Sequence, residues 1–161
     1  MCARCEYSLF GRNGGGRNPD HYWSPCSNGA VPPGATVCGR DKDGSDLYVG
    51  RVLYEGDMLP AKVSPSHGGA FFSHGGAEHS CANYEVLLGG NLMWQGASGG
   101  QVPPGAVAVG QTANGEILYV GRVFHDATLT VGKVHPSHKV CYIPYAGQEL
   151  SFQSYEVLVS K

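Results

Sequence analysis

The sequence predicts an all-β protein made of two tandem units of antiparallel strands, packed as one pseudo-twofold domain. Three observations predict it. Shifted against itself, the chain aligns residues 23–88 with 94–159 without a gap and with roughly 40% identity, which is duplication rather than chance. Each copy carries a hairpin dipeptide at the same place, Asp43-Gly44 and Asn114-Gly115, of the kind that favours two-residue type I′ turns. With 25 glycines and 10 prolines in 161 residues, nearly every stretch long enough for a helix is interrupted. The longest uninterrupted one, from Gln148 onward, is rich in β-formers.

Residues 1–22 lie outside the duplication and read as a flexible or weakly ordered leader, Gly-, Arg- and Asn-rich over 11–18. Cys2, Cys5, His21 and Cys26 are ligand types that suit zinc, but the spacing lacks a second tight pair, so no metal is assigned. The units then run in parallel. Trp23 matches Trp94, and Val31-Pro32-Pro33-Gly34-Ala35 matches Val102-Pro103-Pro104-Gly105-Ala106. The hairpin is predicted to pair residues near 35–42 with 45–54. That register puts Cys38, Leu47 and Val49 on one face, as it does Val109, Leu118 and Val120, with Asp41, Asp46, Gly39 and Tyr48 opposite.

Leu47-Tyr48-Val49-Gly50-Arg51-Val52 recurs as Leu118-Tyr119-Val120-Gly121-Arg122-Val123. Strict alternation carries Arg51 and Arg122 onto the apolar face. This predicts either paired inward arginines or a register break at Val52 and Val123. Glu85 and Glu156, in the closing Tyr-Glu-Val-Leu strands, are the expected partners. A unit of about 66 residues is marginal alone, so the halves are expected to share one core. Cys38, Cys81 and Cys141 have apolar counterparts, Val109, Phe152 and Ala70, and read as buried, reduced thiols.

Composition narrows the function. A net charge of -2 and scattered lysines and arginines argue against a nucleic-acid partner. No apolar run approaches the ~18 residues of a membrane span, so no membrane insertion is expected. Met1 is followed by Cys2, Arg4, Cys5 and Glu6 rather than an apolar signal core, which reads as cytoplasmic, or as released by a non-classical route.

No constellation demands an enzyme or a cofactor. The turn Asp41-Lys42-Asp43-Gly44-Ser45-Asp46 resembles a calcium loop but has Asp46 and Val52 where the EF-hand needs glycine and glutamate. His67 and His138 recur in Pro-Ser-His, where adjacent serine and histidine on a strand would point to opposite faces. Lys62 and Lys133, in Ala-Lys-Val and Gly-Lys-Val, are ordinary edge residues unless a carboxylate lies near. A sugar diol could then donate to the acid and accept from the ammonium.

The doubled runs Val-Pro-Pro-Gly-Ala, Leu-Tyr-Val-Gly-Arg-Val, Lys-Val-x-Pro-Ser-His and Tyr-Glu-Val-Leu resemble the DM9 repeat of insect and mollusc proteins, over residues 23–159. The resemblance implies two interlocked repeats, 23–88 and 94–159, often as a homodimer. In oyster relatives it implies a mannose-specific lectin acting in microbial pattern recognition. It places the sugar contacts on Asp41 and Lys62. In the second repeat Lys133 is kept but Thr112 replaces the aspartate, so that site is weakened, altered or completed by another residue. The alternative is a non-lectin, intracellular interaction module of a stress or infection response. It implies no cofactor.

Overall fold

The computed structural model describes Cys5–Glu6 and residues 21–161. The first half holds β2 (Tyr22–Ser27), β3 (Val37–Arg40), β4 (Asp46–Tyr54), β5 (Asp57–Ser64), β6 (Gly69–His74), β7 (Ala77–Cys81) and β8 (Asn83–Leu88), all antiparallel to their neighbours. The second repeats the order as β9 (Leu92–Ser98), β10 (Ala108–Gln111), β11 (Ile117–His125), β12 (Thr128–His135), β13 (Val140–Tyr145), β14 (Gln148–Phe152) and β15 (Ser154–Ser160). The leader contributes β1 (Cys5–Glu6), paired with Tyr54 and Leu53 of β4. The helical segments among the described residues are two 3-10 turns, Pro65–His67 and Pro136–His138, and no helix is long and apolar enough to cross a membrane.

The halves are interlocked rather than set side by side. Ala77 of β7 pairs with Gln148 of β14, and Arg40 of β3 pairs with Leu129 of β12. With the pairings inside each half, these close a circuit through β3, β4, β5, β6, β7, β14, β13 and β12, a barrel to which both halves contribute. The pairs β8–β2 and β15–β9 hang from β4 and β11 as two flaps.

The single core expected from the sequence is corrected to three apolar clusters. One lies in each half, around Val63, Phe72 and Val86 and around Val134, Ile143 and Val157. A third, shared, gathers Cys38, Val49, Met58 and Leu87 with Val109, Val120, Val131 and Leu158. β4 passes between two of them: Val49 faces the shared cluster and Val52 that of the first half. Both of its faces are covered, which is why its sequence is a near-continuous apolar run rather than a half-polar alternation. Leu118 of the second half reaches into the cluster of the first.

The arginines take the paired course. Arg51 donates through Nε to Glu85 Oε1 at 3.0 Å and through Nη1 to the carbonyl of Val109 at 2.8 Å. Arg122 does the same with Glu156 and with the carbonyl of Cys38, both at 3.0 Å. Each guanidinium lies over the tryptophan that opens its own unit, 4.5 Å from the Trp23 ring and 4.1 Å from that of Trp94. The Tyr-Glu-Val-Leu strand adds a second tie: Tyr84 donates to the carbonyl of Ala30 and Tyr155 to that of Gln101, anchoring each Val-Pro-Pro-Gly loop. Burial pushes the Tyr84 phenol up to about 12.

The turns differ from the type I′ expectation. Gly44 donates to Asp41 O and Gly115 to Thr112 O, while Asp41 N and Thr112 N bond to Ser45 O and Glu116 O. In each dipeptide only the glycine has positive φ, +86° and +89°, whereas type I′ needs it at both residues. The result is a type I turn closed by a left-handed glycine, a longer loop that displays Asp41 and Thr112 at its start.

Cys81 also departs from expectation. It is disulfide-bonded, whereas Cys26, Cys38 and Cys141 are free. The apolar character of its counterpart Phe152 reported burial, which a disulfide satisfies as well as a thiol does. The Cys2 end of the zinc reading lies outside the described residues, Cys5 is described by its backbone alone, and among the described residues no three ligand-type side chains are placed to hold a metal ion. Burial pushes the Cys38 thiol up to about 11 and raises that of Cys141 further. A thiol reagent at neutral pH is therefore expected to modify Cys26 first among these three, with Cys38 and Cys141 reacting only on unfolding. Peptide mapping after a timed alkylation checks this, and early labelling of Cys38 would contradict it.

Candidate functional site

The Lys-Val strands place a lysine from each half at the seam. Lys62 on β5 and Lys133 on β12 are 8% and 6% exposed, far from the solvated edge position expected for a lone lysine on a sheet. Lys62 Nζ donates to the carbonyl of Pro144, in the opposite half, at 2.6 Å and lies 3.1 Å from Glu78 Oε2. Lys133 Nζ donates to the carbonyl of Ser73, again across the seam, at 2.7 Å and lies 2.9 Å from Glu149 Oε2. The two glutamates also reach across, Glu78 accepting from Gly147 N at 3.0 Å and Glu149 from Gly76 N at 3.1 Å. Desolvation would raise the Glu149 carboxyl, but the bond and charge of Lys133 outweigh it and hold that group below its ordinary range.

These lysines are thus ties between the halves first. An ammonium has three N–H donors, and at Lys62 two are engaged, leaving one. Nζ also lies 5.7 Å from the centroid of the Tyr145 ring. Tyr145 comes from the second half and donates to Asp126 Oδ2 at 2.5 Å, an oxygen that also accepts from Lys42 Nζ at 3.1 Å. The bond to Asp126 raises the Tyr145 phenol, and the charge of Asp41 adds to the shift.

Asp41 sits at the start of the β3–β4 loop, with Oδ1 accepting from Lys42 N at 2.8 Å and Oδ2 3.6 Å from His67 Nδ1. The acid bonded to Lys62 is Glu78, not Asp41. Lys62 lies 5.7 Å from the Tyr145 ring, and the Asp41 charge acts on the phenol of the same residue.

The second half repeats this with changed chemistry. Lys133 lies 5.4 Å from the Tyr142 ring, and His74 stands where Tyr145 stands in the first, 3.4 Å from Asp57. Thr112 accepts from Glu116 N through Oγ1 at 3.2 Å, an internal loop bond. Thr112 thus serves its own turn.

Pro-Ser-His is a 3-10 turn, not a strand, so the argument from opposite strand faces fails. Ser64 and Ser66 come within 2.8 and 3.1 Å of His67 Nδ1. Asp41 approaches the same nitrogen. A nucleophile relay needs serine and carboxylate on opposite ring nitrogens, so this geometry is not one.

Sequence reasoning named Asp41, Lys62, Lys133 and Thr112, and did not name Tyr145, Asp126, Glu78 or Glu149, which the structure places beside them. The glutamates had a signal, since Gly76-Ala77-Glu78 and Gly147-Gln148-Glu149 occupy matching places in the duplication. Tyr145 had none, because its counterpart is His74 and its role depends on the seam.

A model of the DM9 repeat matches residues 9–56 and 41–152. The chain is 30% identical over 142 residues to Natterin-3 of Thalassophryne nattereri, covering 86% of this chain and 35% of that protein. It is also 30% identical over 135 residues to Natterin-4 of the same organism, covering 81% and 32%. The chain therefore spans about a third of the length of these relatives. Among solved structures it resembles the nematode sperm cell motility protein MFP2B, with a TM-score of 0.66, 16% identity, and coverage of 88% of this chain and 47% of that one. At that identity the likeness is one of fold.

Proposed function

The chain belongs to the DM9-repeat family, and from that premise we propose that it binds carbohydrate with mannose-type specificity, as a protein that recognises or agglutinates microbial surfaces. The observation that supports the reading is that the Tyr145 ring stands 5.7 Å from Lys62 Nζ and within reach of the Asp41 charge. A vicinal diol offers one hydroxyl to donate to the carboxylate and one to accept from the ammonium, both in charge-assisted bonds. The tyrosine ring supplies an apolar wall for the sugar's C–H face. Rigid strands hold the lysine, so little ordering is left to the moment of binding. Pairing of two chains as a homodimer would multiply such sites and raise weak single-site affinity by avidity on a glycan surface. Such binding needs no cofactor and no chemical step.

The test is calorimetric titration of mannose, with glucose and galactose alongside, into wild type and into Asp41→Asn. Asparagine keeps the shape and removes the charge; Lys62→Ala would break the seam as well as the site. Mannose is expected to bind, and Asp41→Asn, folded by circular dichroism, to lose roughly 10- to 100-fold in affinity at this site. A folded wild type that takes no sugar, but captures a protein partner reproducibly, would replace this reading with the interaction-module one.

A further inference from the structure

Comparison of the two halves, position by position, locates a compensating exchange. Repeat two loses a carboxylate where Thr112 replaces Asp41 and gains one where Glu116 replaces Ser45, at the other end of the same loop. In both halves the loop carboxylate meets the Pro-Ser-His turn. Asp41 does so through His67 at 3.6 Å. Glu116 does so more closely, accepting from Ser137 N at 2.8 Å and Ser137 Oγ at 2.6 Å, with His135 Nδ1 at 3.2 Å.

The groups around Glu116 form a continuous ring back to the seam lysine. The His135 and His138 rings stack at 3.6 Å, His138 Nδ1 bonds the Tyr142 hydroxyl at 2.9 Å, and the Tyr142 ring lies 5.4 Å from Lys133 Nζ. In the first half the matching positions are hydroxyls: Ser45 is 3.1 Å from Ser66, and Ser66 is 3.3 Å from Ser64. Lys133, like Lys62, donates once across the seam and pairs with the glutamate of its own half, and an ammonium has three N–H donors in all. Desolvation would raise the Glu116 carboxyl, yet its bonds from Ser137 and the nearby imidazoles hold it below the ordinary range, so it is a charged acceptor at neutral pH.

We infer that the second half carries its own diol-binding site, in which Glu116 takes the acceptor role that Asp41 has in the first, opposite Lys133 and beside Tyr142. The inference rests on the carbohydrate reading above and deepens it. The two sites are not copies. In the first the aromatic wall, Tyr145, comes from the opposite half; in the second, Tyr142 and both imidazoles belong to the same half as the acid. The acids come from opposite ends of the loop and only the first wall comes from the opposite half, so the two sites present different hydroxyl geometries and differ in their order of preference among mannose, glucose and galactose.

Titration of these three sugars into wild type, Asp41→Asn, Glu116→Gln and the double variant tests it. Two sites per wild-type chain are expected, with Asp41→Asn and Glu116→Gln each removing a different one and the double variant binding neither. Histidine ring resonances give a second readout. In Asp41→Asn protein, sugar is expected to shift His135 and His138, and Glu116→Gln to abolish that shift. One site in wild type, lost in Asp41→Asn and untouched by Glu116→Gln, would overturn this inference and leave the first site standing. No sugar bound by any folded variant would overturn both.

Discussion

Replacing Glu85 with alanine is expected to cost about 3–5 kcal/mol of stability, while the symmetry-related Glu156→Ala costs about 1 kcal/mol or less. The two ion pairs have the same 3.0 Å Nε–Oε1 contact, the same bond to a carbonyl of the other half and the same tryptophan beneath. They differ in the burial of the acid, the two arginines being similarly enclosed at 13% and 17% exposure. The Glu85 side chain is 7% exposed and its Arg51 partner 13%, whereas Glu156 is 43% exposed. Removing Glu85 takes the carboxylate from a guanidinium that burial already disfavours and that Glu85 counteracts. Removing Glu156 leaves Arg122 beside a face that water can reach. Urea denaturation of the two variants, with unchanged slopes, checks the ranking. Equal losses would show that the distance, and not the desolvation, sets the value of these pairs.

Gly39→Ala is expected to cost about 3 kcal/mol, at the upper end of what overpacking does, and to loosen the junction of the halves. A Cβ at Gly39 would stand 2.2 Å from the carbonyl oxygen of Leu129, where β3 crosses onto β12. The obstacle is backbone, so no side-chain rotation relieves it, and the strand pair that helps close the barrel must part. Gly96→Ala is the control: open space surrounds its Cβ and its φ is ordinary, so its effect is expected within about 0.5 kcal/mol. Hydrogen exchange on β3 and β12 in Gly39→Ala distinguishes a local parting from a general loss of stability. Unchanged protection at Arg40 and Leu129 would refute the account.

Much of the site was legible in particular residues, and its limits are equally particular. The spacing of the Lys-Val and Tyr-Glu-Val-Leu runs placed Lys62, Lys133, Glu85 and Glu156 on strands, because side-chain direction in a strand follows from period two and needs no tertiary information. Asp41 was legible because a turn dipeptide fixes what precedes it. The turn type was not, since Asp-Gly fits several turns and the twist of the flanking strands selects among them. Glu116 was not legible because its counterpart, Ser45, carries no charge and marks no site in the first repeat. The lost charge of Thr112 returned at a different position, near only once the loop had closed.

The sequence by itself determined the duplication, the strands and the hairpins, and it offered the arginine–glutamate pairs inside each half as one of two courses, because these follow from contacts repeated within one unit. Only the tertiary structure decided that the lysines bind carbonyls of the opposite half and that Tyr145 stands beside Lys62. It also decided that three clusters, not one, bury the apolar residues. Those contacts join residues about 60 to 80 positions apart across the seam, and their energy depends on how two complete halves interlock. Strand periodicity is a property of each half alone and carries no record of that docking.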